Sequence, residues 1–118
     1  MTGVALSSQH ERRFRRFPLR CPVHLLFRAG DYISEVDAVS RNLSTGGLLL
    51  ESPVAVPQDS VISFVITLQG RTLRPLRLTG EGRVTRVERS QAQMDFQVAV
   101  ECKAPMSEIE HYLPLDWH

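Results

Sequence analysis

The residues with the clearest chemical potential lie near the N-terminus, between Glu11 and Phe17, in the sequence ERRFRRF. Four arginines and two phenylalanines fall within these seven residues. A guanidinium group is planar and permanently charged, so it binds phosphate through paired hydrogen bonds and stacks on flat rings. This segment, called the arginine arm below, indicates oxyanion recognition, although a basic arm that is only solvated would have the same composition.

The positive charge of the chain is local. The formal net charge is +1, and arginine supplies 13 of the 14 basic residues, with Lys103 the only lysine. Lysine would serve solubility equally well, whereas a bias toward arginine favours bidentate recognition of anions. The composition therefore indicates one charged segment and not a generally basic protein.

A second polar motif, Asn42-Leu43-Ser44-Thr45-Gly46-Gly47, follows the second predicted strand. On an extended strand end, Asn42 and Ser44 share a face because they are two residues apart. The paired glycines permit positive φ and a close approach of a ligand to the backbone. A tight hairpin turn without a ligand would use the same residue types. The motif lacks the glycine spacing of a dinucleotide-binding loop.

Alternation of apolar and polar residues with a period of two dominates from Leu19 to Lys103, and it predicts β-strands. Six strands are predicted, over residues 21–27, 32–43, 47–51, 60–68, 72–87 and 94–103. The fifth segment is long for a single strand. Pro75, Gly80 and Gly82 therefore predict a bulge or a sharp bend inside it.

Helical periodicity occurs only at the C-terminus, where Ser107 and Glu110 form a capping box and Pro114 would end the helix near Leu113. Two helical turns are not stable alone in water, so this helix must dock through residues such as Ile109. The predicted fold class is mainly all-β: a closed or nearly closed, six-stranded antiparallel β-barrel with a short C-terminal helix. Closure would remove the exposed edges of these apolar strands.

The 118 residues fit one domain. We expect a flexible N-terminal tail over residues 1–10, the barrel with its arginine motif over 11–105, and the short helix and tail over 106–118. No apolar run approaches the ~20 residues of a membrane span, and the N-terminus lacks the features of a secretory signal. Cys21 and Cys102 are expected to be free thiols in a reducing cytoplasm, with a single disulfide as the alternative.

The two polar motifs occur in a set order. Arg12 and Arg16 fit the pattern RxxxR, and Asn42, Ser44 and Gly47 fit the pattern [D/N]xSxxG about thirty residues later. Both motifs flank the opening strands of the predicted barrel. In these features the chain resembles the PilZ domain, the bacterial receptor module for cyclic di-GMP.

The resemblance implies that cyclic di-GMP is the ligand, with no other cofactor and no metal. The two arginines of RxxxR would grip phosphate and guanine, since guanine O6 and N7 match an arginine fork. The amide and hydroxyl of the second motif would address the guanine edge, and its last glycine would shape the turn. The candidate ligand-binding residues are Arg12, Arg13, Arg16, Asn42, Ser44 and Gly47, with Arg15, Arg41 and Gly46 as secondary candidates.

In the family, a basic residue just before RxxxR favours an intercalated pair of ligands. This chain has Glu11 at that position, which leaves the ligand stoichiometry open. We expect the ligand to draw the arginine arm onto the barrel and so to expose a composite face for an effector protein. The chain is expected to be a monomer or a weak dimer.

Three other functions are compatible with parts of the sequence. A PilZ-like adaptor that binds only protein would have the same barrel. A small barrel that binds single-stranded nucleic acid could use the basic arm, but acidic residues on the expected outer faces (Glu35, Asp37, Glu51, Glu81 and Glu101) argue against it. The four histidines are scattered without a metal or catalytic spacing, so an enzyme is not expected.

Overall fold

The computed structural model describes residues 18–68, 75–90 and 95–106 of the chain. These residues form six β-strands. Their bounds are β1 Pro22–Ala29, β2 Tyr32–Leu43, β3 Gly47–Ser52, β4 Val61–Leu68, β5 Leu76–Arg89 and β6 Phe96–Cys102. The six predicted strands are confirmed, with shifts of a few residues at their ends.

The strands form one closed antiparallel barrel. Their order around the barrel is β1-β2-β3-β6-β5-β4, and β4 pairs again with β1 to close it. Each strand is thus hydrogen-bonded to two neighbours, although the first half of β2 pairs only with β1 because its pairing with β3 begins at Val39. The predicted barrel is confirmed, and the alternation of the sequence explains which face of each strand is inside.

The core is filled by apolar side chains from every strand. In β1, for example, Val23, Leu25 and Phe27 are buried while the intervening residues are more exposed. Every second residue of a strand faces the same side of the sheet, so a period of two places one apolar set inside the barrel. The largest buried side chains include Leu25, Leu43, Leu50, Phe64, Val84 and Val98, one from each strand.

The expected irregularity in β5 is present, but not where the glycines predicted it. The register with β6 shifts between Val84 and Arg86, whereas pairing with β4 is continuous through Gly80 and Gly82. Gly80 instead makes room for a core ring, because a Cβ there would lie 2.6 Å from Cζ of Phe64. The absence of a side chain at Gly80 thus serves the packing of Phe64.

Both cysteines carry free thiols, as expected, with Cys21 buried and Cys102 partly buried. Burial raises the pKa of the Cys102 thiol to about 11, and it also raises the pKa of Cys21. The predicted tail over residues 1–10, the arginine arm and the predicted C-terminal helix lie outside the described residues. Within residues 18–68, 75–90 and 95–106, no helix is long and apolar enough to cross a membrane.

Candidate functional site

The C-terminal end of β2 contains a β-bulge beside the second polar motif. The register of β2 with β3 shifts between Ser40 and Asn42, so Arg41 is an extra residue without a partner in β3. Asn42 then pairs with Leu49, and both side chains are partly exposed. A bulge of this kind bends the strand and changes the direction of its side chains. Here it acts on Arg41 and Asn42, which are both candidate ligand-binding residues.

Ser44 closes the turn between β2 and β3. Its Oγ accepts hydrogen bonds from the backbone N–H groups of Gly47 at 3.0 Å and Gly46 at 3.3 Å, and donates to the Gly47 carbonyl at 3.2 Å. The Ser44 N–H donates to the same carbonyl at 3.0 Å. A hydroxyl can donate one hydrogen bond and accept two. The Ser44 hydroxyl makes all three within the turn. A contact between this hydroxyl and a ligand would have to replace one of these bonds.

The turn is also attached to the end of β6 and to the residues that follow it. The carbonyl of Gly46 accepts from the N–H of Cys102 at 2.9 Å, and the carbonyl of Thr45 accepts from the N–H of Met106 at 2.7 Å. A Cβ on Gly47 would lie 2.6 Å from the Val100 carbonyl oxygen, so only glycine allows this approach to β6. The hairpin is consequently a well-supported element and not a loose loop.

Ser40 holds the residues that precede β1 against the same end of β2. Its fully buried hydroxyl donates to the Leu19 carbonyl at 2.5 Å and accepts from the Cys21 N–H at 2.8 Å. The Ser40 N–H donates to the Cys21 carbonyl at 2.9 Å. Residues 19–21 therefore lie next to the bulge at Arg41, and we call them the root of the arginine arm.

Two arginines share one carboxylate on the outer face beside Asn42. Nη2 of Arg20 lies 3.0 Å from Oε1 of Glu51, and Nε of Arg41 lies 3.4 Å from Oε2. The Glu51 side chain is only 12% exposed, whereas both arginine side chains are largely open to solvent. The hydrogen bond and charge of Glu51 raise the pKa of Arg20. A guanidinium has five N–H donors, so each of these two has more donors than its contact with Glu51 uses.

The structure brings together five of the nine candidate residues in one hairpin: Arg41, Asn42, Ser44, Gly46 and Gly47. The four arginines of the arm, Arg12, Arg13, Arg15 and Arg16, lie outside the described residues. Their reach is nevertheless limited by the root. Arg16 precedes Arg20 by four residues, so the two Cα atoms are at most about 14 Å apart.

Sequence reasoning missed Arg20 and Glu51 as members of this cluster. They are 31 residues apart and belong to no shared motif. Only the pairing of β1, β2 and β3 brings them together. A useful signal would have been the outward position of Glu51 on β3 beside the polar end of β2.

A separate charged group lies on the outer face of β1. Nδ1 of His24 lies 2.8 Å from Asp37, and Nε2 lies 2.8 Å from Glu35. The hydrogen bond to Asp37, followed by that to Glu35, raises the pKa of His24. In the described part of the chain, no cluster of three or more His, Cys, Asp or Glu side chains has the arrangement of a metal site.

The described residues thus form a small closed barrel with a polar hairpin and a preceding segment fastened beside it. The sequence model of the PilZ domain matches residues 10–113. The chain therefore belongs to the PilZ domain family.

A solved structure with the same fold is that of the Bacillus subtilis inhibitor of motility, MotI/DgrA. It superposes with a TM-score of 0.67 at 15% sequence identity. The similarity covers 86% of this chain but 47% of MotI/DgrA, so this chain spans about half of that protein. No curated protein matches the sequence.

Proposed function

We propose that this protein is a cyclic di-GMP receptor that signals to a partner protein. The supporting observation is the attachment of the arm root beside the Asn42 hairpin. The hydroxyl of Ser40 binds both Leu19 and Cys21, so the chain enters β1 next to the polar motif. In this proposal the RxxxR arginines, Arg12 and Arg16, and the Asn/Ser/Gly motif contact one small ligand.

In this proposal each group has a distinct role. Arg12 and Arg16 bind the two phosphodiester charges and guanine O6 or N7. Asn42 can both donate and accept, so its side chain suits the mixed edge of guanine. The fastened turn formed by Ser44 presents backbone groups in a set geometry, which lowers the ordering cost of binding. Arg41 lies beside Asn42 and adds positive charge.

Hydrogen bonds to the arginines would supply part of the binding free energy of a small ligand. Charge-assisted hydrogen bonds contribute about 1.5–3 kcal/mol each. Three or four of them yield a gross total of roughly 6–10 kcal/mol, from which ordering of the arm subtracts about 2–5 kcal/mol. Micromolar affinity corresponds to about −8 kcal/mol, so burial of the guanine rings against the barrel must supply the remainder.

In this proposal ligand binding creates a surface for a partner protein and does not start a chemical reaction. Movement of the arginine arm onto the hairpin would create a face made of arm, ligand and barrel, to which an effector protein binds. The free thiols of Cys21 and Cys102 accord with a reducing compartment, and we place this function in the cytoplasm.

The test is isothermal titration with cyclic di-GMP. We expect saturable binding by the wild-type chain, and loss of detectable binding in Arg16→Ala. The matched control is Arg28→Ala, an exposed arginine at the opposite end of β1 that is expected to leave the affinity unchanged. Equal binding by the wild type and Arg16→Ala would contradict the assignment of the arm.

One observation favours a second candidate, an adaptor that binds only protein. The Ser44 hydroxyl already has all of its hydrogen-bonding positions occupied within the turn. The melting temperature distinguishes the two functions. A receptor is stabilised by cyclic di-GMP and not by cyclic di-AMP or GTP, whereas an adaptor responds to none of them.

A further inference from the structure

The carboxylate of Glu51 connects three parts of the candidate site. It contacts Arg20 in the arm root and Arg41 in the β2 bulge, and it lies on β3 two residues after Leu49, the partner of Asn42. We propose that Glu51 is a positioning residue that fastens the arm root to the barrel and thereby strengthens ligand binding. This inference rests on the proposed function, which it deepens.

The contacts of the root support the fastening. Ser40 holds the backbone at Leu19 and Cys21, and Glu51 holds the side chain of the residue between them, Arg20. Backbone and side chain are thus anchored on two strands, β2 and β3. Because Arg16 precedes Arg20 by only four positions, a restraint at Arg20 limits the volume that Arg16 can explore. A smaller volume means a higher effective concentration of Arg16 at the hairpin.

The burial of the carboxylate distinguishes this cluster from an ordinary surface ion pair. The Glu51 side chain is 12% exposed, and each of its two oxygens faces a different guanidinium. A shielded carboxylate is less screened by salt than an exposed one. By contrast, the Arg86–Glu88 pair has a separation of 3.9 Å, and both side chains are more than half exposed.

Charge alone leads to the opposite expectation. Two residues along a strand span about 7 Å, so Glu51 lies near any anion bound at Asn42. If only net charge mattered, removing this carboxylate would tighten binding of an anionic ligand. If Glu51 instead fastens the arm root, removing its carboxylate weakens ligand binding. The repulsion of an anion by Glu51 is small in this case, because a guanidinium on each oxygen balances the charge.

A double-mutant cycle separates the two accounts. Cyclic di-GMP is titrated calorimetrically into the wild type, Arg20→Gln, Glu51→Gln and the double variant. The fastening predicts that each single variant binds about three- to tenfold more weakly, and that the double variant is no weaker than either. Net charge predicts tighter binding by Glu51→Gln and near wild-type binding by the double variant, and this result would overturn the inference.

Two controls make the cycle specific. Arg28→Gln makes the same charge change as Arg20→Gln at the opposite end of β1, and its affinity should equal that of the wild type. Thermal unfolding of each variant shows whether it is folded at the titration temperature. Equal losses in Arg28→Gln and Arg20→Gln would mean that the effect is one of net charge, and would overturn the fastening.

Hydrogen exchange without ligand keeps the inference separate from the proposed function. The Cys21 amide is hydrogen-bonded to Ser40, so its exchange reports on opening of the root. We expect this amide to exchange at least about threefold faster in Glu51→Gln. Unchanged exchange would overturn the fastening, whereas absence of binding by the wild type would overturn the proposed function and leave the exchange result to decide the fastening.

Discussion

At its C-terminal end, strand β2 is held by polar contacts from three directions, whereas its N-terminal end is an exposed hairpin tip. The first end has the buried hydroxyl of Ser40, the closed turn at Ser44 and the carboxylate of Glu51. At the second end, Tyr32 is 78% exposed and Ile33 is 67% exposed. The two ends belong to one 12-residue strand, yet one end is held by polar contacts and the other is exposed.

The difference shows that the fold uses polar side chains to hold the β2–β3 hairpin in place. A β-hairpin needs only a suitable turn, and Gly30 with φ +66° supplies it between β1 and β2. The β2–β3 hairpin has far more support than a connection requires. Buried and hydrogen-bonded polar groups restrict the conformations of their surroundings. The supported end is therefore the one expected to present a ligand site.

The largest predicted contrast concerns the glycines of the two hairpins. Gly47→Ala would place a Cβ 2.6 Å from the Val100 carbonyl oxygen and should lower the free energy of unfolding by about 3 kcal/mol. In Gly30→Ala the new Cβ has no atom within 4 Å. The only cost is the left-handed backbone conformation, so the free energy of unfolding should fall by about 1–2 kcal/mol. Urea denaturation of both variants measures the contrast. A larger loss at Gly30 would contradict the difference in support.

The next contrast compares two serines of β2. Ser40→Ala removes the hydroxyl that binds Leu19 and Cys21 and leaves a buried N–H and carbonyl without that partner, so we expect a loss of about 1–3 kcal/mol. Ser34 is only partly buried, and its side chain has no hydrogen bond among the described residues. Ser34→Ala should therefore change stability by no more than about 0.5 kcal/mol. Similar losses in urea denaturation for both variants would remove the special role of Ser40.

The smallest contrast concerns pH. Asp37 and Glu35 raise the pKa of His24 in the folded chain above its unfolded value of about 6.5. The resulting stabilisation is fully present below about pH 6.5 and is lost as the pH rises through the folded pKa. The urea midpoint should accordingly fall over that window in the wild type. His24→Gln should abolish this fall, and an identical pH profile for the variant would show that other groups cause it.

The strands and the barrel could be predicted because they depend on a local signal. Alternation in segments such as Val61–Leu68 directly reports which residues face the core. The bulge at Arg41 could not be predicted, because it depends on the register between two strands. The same holds for Gly80, whose role depends on the pairing that places Phe64 opposite it.

For the candidate site, the sequence predicted that the residues of the second motif lie together, whereas their role in ligand binding stays a prediction. Asn42, Ser44 and Gly47 form a motif within six residues, and they lie together in one hairpin. The occupied hydroxyl of Ser44 was not foreseen, since the hydrogen bonds of a turn follow from its three-dimensional geometry. Nor was the Arg20–Glu51 contact, which joins residues that only the barrel brings together.

The most direct test of the central claim is a titration of the ¹⁵N-labelled chain with cyclic di-GMP, followed through its backbone amide resonances. The account predicts that the amides of residues 19–21 and 41–47 shift together and saturate, while those of residues 30–33 at the opposite end of β2 remain unchanged. Absence of shifts, or shifts confined to the tip formed by Tyr32 and Ile33, would contradict it.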